Sequence, residues 1–118
     1  MLIIAVTHFR RRYIAFKIHS ENDASFHRLQ IIKAIQDTCM KSHHTSCKTF
    51  DFFLTRFQHN TGILRCFHKE KNRAIALLQS IKFIEDTAIT IETIATSGTI
   101  KSLIKKHLNG DQLQDSKD

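Results

Sequence analysis

Three short segments hold the side chains that could do chemistry in this chain. They are Arg10-Arg11-Arg12, Arg65 within Ile63-Leu64-Arg65-Cys66, and Ser97-Gly98-Thr99-Ile100-Lys101. All three carry groups that grip anions. A guanidinium presents a planar fork of donors that matches phosphate oxygens. Ser97 and Thr99 are N-cap types, and Ile100, Leu103, Ile104 and Leu108 follow them at helical spacing. A helix that starts there points its first amides outward, with Lys101 in the first turn and Lys105 in the next, and a phosphate suits such an end. Gly98 lets the backbone turn sharply before the helix. The plain alternative is a capped helix start with no ligand.

Arg65 sits inside a mostly apolar strand, so it must face an open surface or be paired, because an unpaired buried guanidinium is costly. Either it contacts a phosphate or a base, or it forms an internal ion pair, for example with Glu92. Catalytic groupings are not legible. Asp23, Asp37, Asp51, Glu70, Glu85, Asp86 and Glu92 are scattered singly, with no pair spaced to hold a catalytic magnesium and no Ser-His-Asp or Cys-His arrangement. His43, His44, Cys39 and Cys47 lack the spacing of a zinc site, so no zinc is expected. The chain is expected to be non-catalytic alone.

Composition agrees with a binding role. The 118 residues are 42% hydrophobic and 25% charged, which fits one globular domain. The net charge is +7; Asp111, Asp115, Asp118 and Lys117 bring −2 to the last ten residues, so the first 108 carry +9. A small basic body suits a polyanion, most often nucleic acid. The expected organisation is an apolar leader over residues 1–9, one domain over 10–108 and an acidic, disordered tail over 109–118. The leader is too short for a signal-peptide core or a membrane span. Three cysteines without framework spacing read as reduced thiols in an intracellular protein.

The elements that must position the basic segments follow from periodicity. Residues 13–19 alternate, with Ile14, Phe16 and Ile18 on one face and Tyr13, Ala15 and Lys17 on the other. Residues 20–23 break the strand and offer helix caps. Phe26, Leu29, Ile32, Ile35 and Cys39 then predict an amphipathic helix. Residues 50–57 and 63–68 read as strands joined by a turn at 58–62, where Asn60 and Gly62 tolerate positive φ. A second helix is expected over 70–84, a fourth strand over 88–94 and a last helix from Thr99. The order β-α-β-β-α-β plus a helix is the ferredoxin-like pattern, an α+β fold with a four-stranded antiparallel sheet and helices on one face. An RNA-recognition-motif surface would need aromatics on strands 1 and 3; Tyr13 and Phe67 are available, but the glycine-aromatic run of that motif is missing.

Taken together, residues 12–18 (Arg-Tyr-Ile-Ala-Phe-Lys-Ile), residues 60–66 (Asn-Thr-Gly-Ile-Leu-Arg-Cys) and residues 97–101 resemble the ribonuclease P protein component 2 family. The likeness spans about residues 10–108 and is nearer to archaeal members. Two departures are an apolar leader where the family has a short basic start, and histidines in the 41–48 loop where members carry glycine. The resemblance implies a ferredoxin-like or RNA-recognition-like fold and a non-catalytic subunit, with ribonuclease P RNA carrying the chemistry through Mg2+ while this chain binds no cofactor. It implies removal of the 5′ leader of precursor tRNA, pairing with another protein subunit (component 3), no membrane, and a cytoplasmic place in an archaeon or a nuclear one in a eukaryote. By resemblance, Arg65 and residues 97–101 carry over as functional.

Two other classes fit the same element order, besides a related small ribonuclease P subunit with different partners. An acylphosphatase-type enzyme would need an arginine-bearing phosphate loop after the first strand, where residues 20–23 are acidic instead. A generic protein-interaction module would not need a +9 body. The expected RNA-contacting set is Arg10, Arg11, Arg12, Arg65, Ser97, Gly98, Thr99, Lys101 and Lys105.

Overall fold

A computed structural model describes residues 10–22, 24–44 and 46–107. The expected leader and tail lie outside the described residues, as does Leu108. Strand β1 (Arg11–Ser20) is followed by helix α1 (Arg28–His43), the hairpin β2 (Phe53–Gln58) and β3 (Thr61–Phe67), and helix α2 (Lys71–Ser80). A second hairpin, β4 (Phe83–Ile84) and β5 (Thr87–Ser97), leads into helix α3 (Ile100–His107). The sheet is antiparallel with order β2-β3-β1-β5-β4. The ferredoxin-like core is therefore present, extended by a short edge strand.

Alternation divides the sheet into two faces. Ile14, Phe16 and Ile18 of β1 and Leu64 and Cys66 of β3 join Ile31, Ile35 and Cys39 of α1 and Leu77 and Leu78 of α2 in the main core. Ala15 and Ile63 point the other way and are sealed by Leu103 of α3, with Tyr13, Ala95, Ile100 and Ile104 around them. α3 thus covers the face opposite to α1 and α2.

A β-bulge makes that crossing possible. Thr93 pairs with Phe16 and Ala95 with Ala15, so Ile94 is an extra residue between them. Before the bulge the odd residues Ile89 and Ile91 enter the main core. After it, Ala95 packs beneath α3. The one-residue slip turns the end of β5 over and delivers α3 to the second face.

Several local expectations are corrected. Helix α1 is not capped by residues 20–23: the His27 amide donates to Gln30 Oε1 at 2.7 Å, and Ser20 instead accepts from the Ala24 amide. Leu29 is 76% exposed, because the buried stripe runs through Ile31, Ile35 and Cys39. The second strand begins at Phe53, since residues 47–50 form a 3-10 turn ended by Asp51 in the left-handed region. Helix α2 stops at Ser80, as Ile81 is already extended and Phe83 and Ile84 pair with Ala88 and Thr87.

The β2–β3 turn is made by His59 and Asn60, both at positive φ (53° and 60°), and Gly62 is not needed for it. Asn60 also ties the turn to the chain before α1, accepting from the Phe26 amide and donating to the Ala24 carbonyl. Gly62 serves packing. It lies across from Phe16, and a Cβ there would stand 2.6 Å from the Phe16 ring.

Candidate nucleic-acid interface

The three basic segments, distant in sequence, meet at one end of the sheet. Arg11 and Arg12 pair with Phe67 and Cys66, Tyr13 pairs with Arg65 on one side and Ser97 on the other, and the Arg10 carbonyl accepts from the His68 amide at 2.6 Å. The start of β1 therefore lies between the ends of β3 and β5, and α3 departs from the same edge. Lys101 and Lys105 are exposed on α3, one turn apart.

Arg12 is half-buried and donates its Nε to His68 Nδ1 at 2.9 Å. One of its terminal nitrogens also approaches Gly98: a Cβ at that glycine would be 3.4 Å from it. Desolvation, then the charges of Arg12, Arg10, Lys71 and Lys69, push His68 below its ordinary pKa. The bond from Arg12 requires an unprotonated Nδ1, which agrees with a neutral ring. This corner concentrates positive charge.

Asp51 organises the opposite side of the same end. Its two carboxylate oxygens accept separately from Arg11 Nε and Arg65 Nη2, each at 2.8 Å. Arg65 also lies over the Phe53 ring, 4.9 Å from the centroid. The ion-pair alternative for Arg65 is thus realised with Asp51. Glu92 instead meets His19 at 2.9 Å. One carboxylate facing two guanidiniums leaves a net positive charge there.

The start of α3 is capped by its own residues. Thr99 Oγ1 accepts from the Ser102 amide, Ser97 Oγ accepts from the Thr99 amide, and the Leu103 amide reaches the Thr99 carbonyl. Ile100 and Lys101 are the first two residues of α3, whose amides have no intrahelical acceptor, and the Lys101 side chain beside them is exposed. Gly98 is not at positive φ, and a Cβ there would only touch Arg12 at ordinary contact distance, so neither a forced turn nor crowding requires glycine at this position.

Sequence reasoning missed Asp51, Phe53 and His68. Asp51 had the signal of an acid just before a strand that carries no other, but its partners are 40 and 14 residues away. Among the described residues, no three His, Cys, Asp or Glu side chains come together as metal ligands. None of the described helices is long and apolar enough to cross a membrane.

Comparison with known proteins adds to this geometry. Residues 12–108 match the family model of the Rpp14/Pop5 family. The chain is similar to ribonuclease P protein component 2 of Pyrococcus furiosus, 32% identical over 103 residues that cover 85% of this chain and 84% of that one. It is equally similar to ribonuclease P protein component 2 of Methanothermobacter thermautotrophicus, 32% identical over 108 residues, covering 83% and 85%. Its fold matches a chain of the yeast ribonuclease MRP cryo-EM structure with a TM-score of 0.65 at 9% identity, over 77% of this chain and 76% of that one.

Proposed function

Since the chain belongs to the Rpp14/Pop5 family, we propose that it is a non-catalytic, RNA-binding protein subunit of a ribonuclease P, which assists the RNA subunit in removing the 5′ leader of precursor tRNA. The observation that carries this reading is the convergence of Arg10, Arg11, Arg12, Arg65 and Gly98 at one end of the sheet, where α3, which carries the exposed Lys101, begins. Cations and helix amides gathered there neutralise phosphates where RNA strands crowd, without an acid or base in the reaction. The RNA would hold the Mg2+ that drives hydrolysis. Component 3 is the expected protein partner.

The experiment combines the full chain with ribonuclease P RNA of an archaeal relative, with and without component 3. Binding should weaken with salt, and Lys101→Ala should flatten the slope of log affinity against log salt by about 0.7 to 0.9, the share of one phosphate contact. The loss should be similar across RNA sequences, because phosphate contacts position rather than specify. Cleavage of precursor tRNA should need less Mg2+ when the protein is present. Failure to bind that RNA, or no effect on cleavage, overturns the reading. Processing by protein freed of RNA overturns the non-catalytic part.

A further inference from the structure

The register places Phe53 beside Arg65, Arg65 beside Tyr13 and Tyr13 beside Ser97, so these four form one straight row across β2, β3, β1 and β5. The row lies on the face that α3 covers, but α3 seals the next row inward, Ile63, Ala15 and Ala95. Phe53 is 50% exposed as a residue, with its ring under the Arg65 guanidinium. Asp51 holds that guanidinium through Nη2, and among the described residues the buried Arg65 Nε has no hydrogen-bond partner. Arg11 gives only Nε to Asp51; among the described residues its terminal nitrogens make no hydrogen bond.

Phe83, the other exposed aromatic ring among the described residues, differs in its surroundings. It borders Asp37 and Glu85 as well as Lys33 and Lys41, a mixed neighbourhood that does not select for an anion. Phe53 lies under Arg65, whose carboxylate partner Asp51 is shared with Arg11. A polyanion with flat apolar groups complements that combination, and a single-stranded nucleic acid is such a ligand.

We propose that this row is a stacking site for single-stranded RNA, in which one base lies against the Phe53–Arg65 pair and the adjoining phosphate meets the terminal nitrogens of Arg11. The inference rests on the RNA-binding reading above and adds the chemistry of one contact. Recognition is tolerant of sequence, because every base offers a π face. It selects single strands over duplexes, whose base faces are already stacked.

The test uses the full chain with a fluorescent mixed-sequence 12-nucleotide single strand and a duplex of the same sequence, followed by anisotropy. Phe53→Ala should weaken single-strand binding about tenfold, within what one base–aromatic stack contributes. It should leave the salt slope and the duplex affinity unchanged. Phe53→Tyr should bind as wild type. Phe53→Leu, which keeps apolar bulk without a π face, should lose affinity as alanine does and serves if the alanine variant does not fold. Equal binding by the leucine variant and wild type, or equal losses for single strand and duplex, overturns the proposal and leaves Phe53 to packing or a protein contact. If ribonuclease P RNA still binds in that case, the subunit reading stands alone. If the wild type binds no RNA, both fall.

Discussion

Arg12 and Gly98 meet across the sheet end: a Cβ on Gly98 would stand 3.4 Å from a terminal nitrogen of Arg12. The first strand and the start of the last helix are thus adjusted to each other through an arginine held at its other side by His68. Gly98 occupies ordinary backbone space, whereas Gly62 faces the buried Phe16 ring at 2.6 Å.

The two glycines should therefore respond oppositely to alanine. Gly98→Ala should leave stability unchanged or raise it by up to about 1 kcal/mol, through lower entropy of the unfolded chain. Gly62→Ala should cost about 1–3 kcal/mol, as overpacking of a filled core does. Urea unfolding of both variants checks the contrast, and a loss at Gly98 larger than at Gly62 contradicts it.

His68 should titrate below a free histidine. Desolvation and the charges of Arg12, Arg10, Lys71 and Lys69 disfavour its protonated form. The sign for a base is that protonation is deferred to lower pH in the folded chain. Replacing Arg12 by glutamine removes the nearest charge and should move the pKa back up. Binding of an RNA phosphate at this corner should also raise it, by offsetting the same cations. Histidine ring signals followed by NMR against pH, free and RNA-bound, read all three; a downward shift on binding would place the phosphate elsewhere.

The alternating strands were legible because burial on one face forces a period of two: Ile14, Phe16 and Ile18 all enter the main core as their spacing predicts. Helix α1 was legible as a helix and largely in its rotation: Ile35 and Cys39 enter the main core and Phe26 and Ile32 pack against it, while Leu29 turns outward and Ile31 is buried in its stead. The β4–β5 hairpin was hidden because β4 has only two residues, too few to show a period, and its turn uses Glu85 at a φ of 55°. The bulge at Ile94 was hidden as well, since β-branched residues continue through it without a break. The site was legible as three basic segments. Their convergence depends on strand order, and the partners of Arg65 depend on a loop that folds back from α1.

The three thiols should be inert in the native chain. Burial, then the carboxylates of Asp51 and Glu70, raise Cys66 from 9.0 to about 11. Burial, then the neighbouring Cys39, with which it hydrogen-bonds, raise Cys47 to about 12. Both stay protonated when folded, while the unfolded chain forms thiolates above pH 9.0. Their contribution to stability is therefore constant below that pH and is lost as pH rises through the folded values. Iodoacetamide at pH 9.0, where a thiol of the unfolded chain is half ionised, should label none of the three in native protein and all of them in urea. Rapid native labelling of Cys66 would contradict its burial.

Asp51 should matter more than an ordinary surface acid, because it is only 13% exposed in its side chain and serves Arg11 and Arg65 at once. Exposed pairs contribute about 0–1 kcal/mol, and removing one partner of a fully buried pair costs about 3–5 kcal/mol. Asp51→Asn, which keeps a hydrogen-bonding amide and tolerates the residue's left-handed backbone, should fall between, at about 1–2 kcal/mol. Asp51→Ala should cost about 1 kcal/mol more, from the strain of alanine at positive φ. The pair Asp51→Asn and Arg65→Gln should couple by about 0.5–3 kcal/mol in a double-mutant cycle, since the two groups touch. Additive losses in urea unfolding would mean that Asp51 holds the loop by its backbone alone, and that Arg65 keeps its place over Phe53 without it.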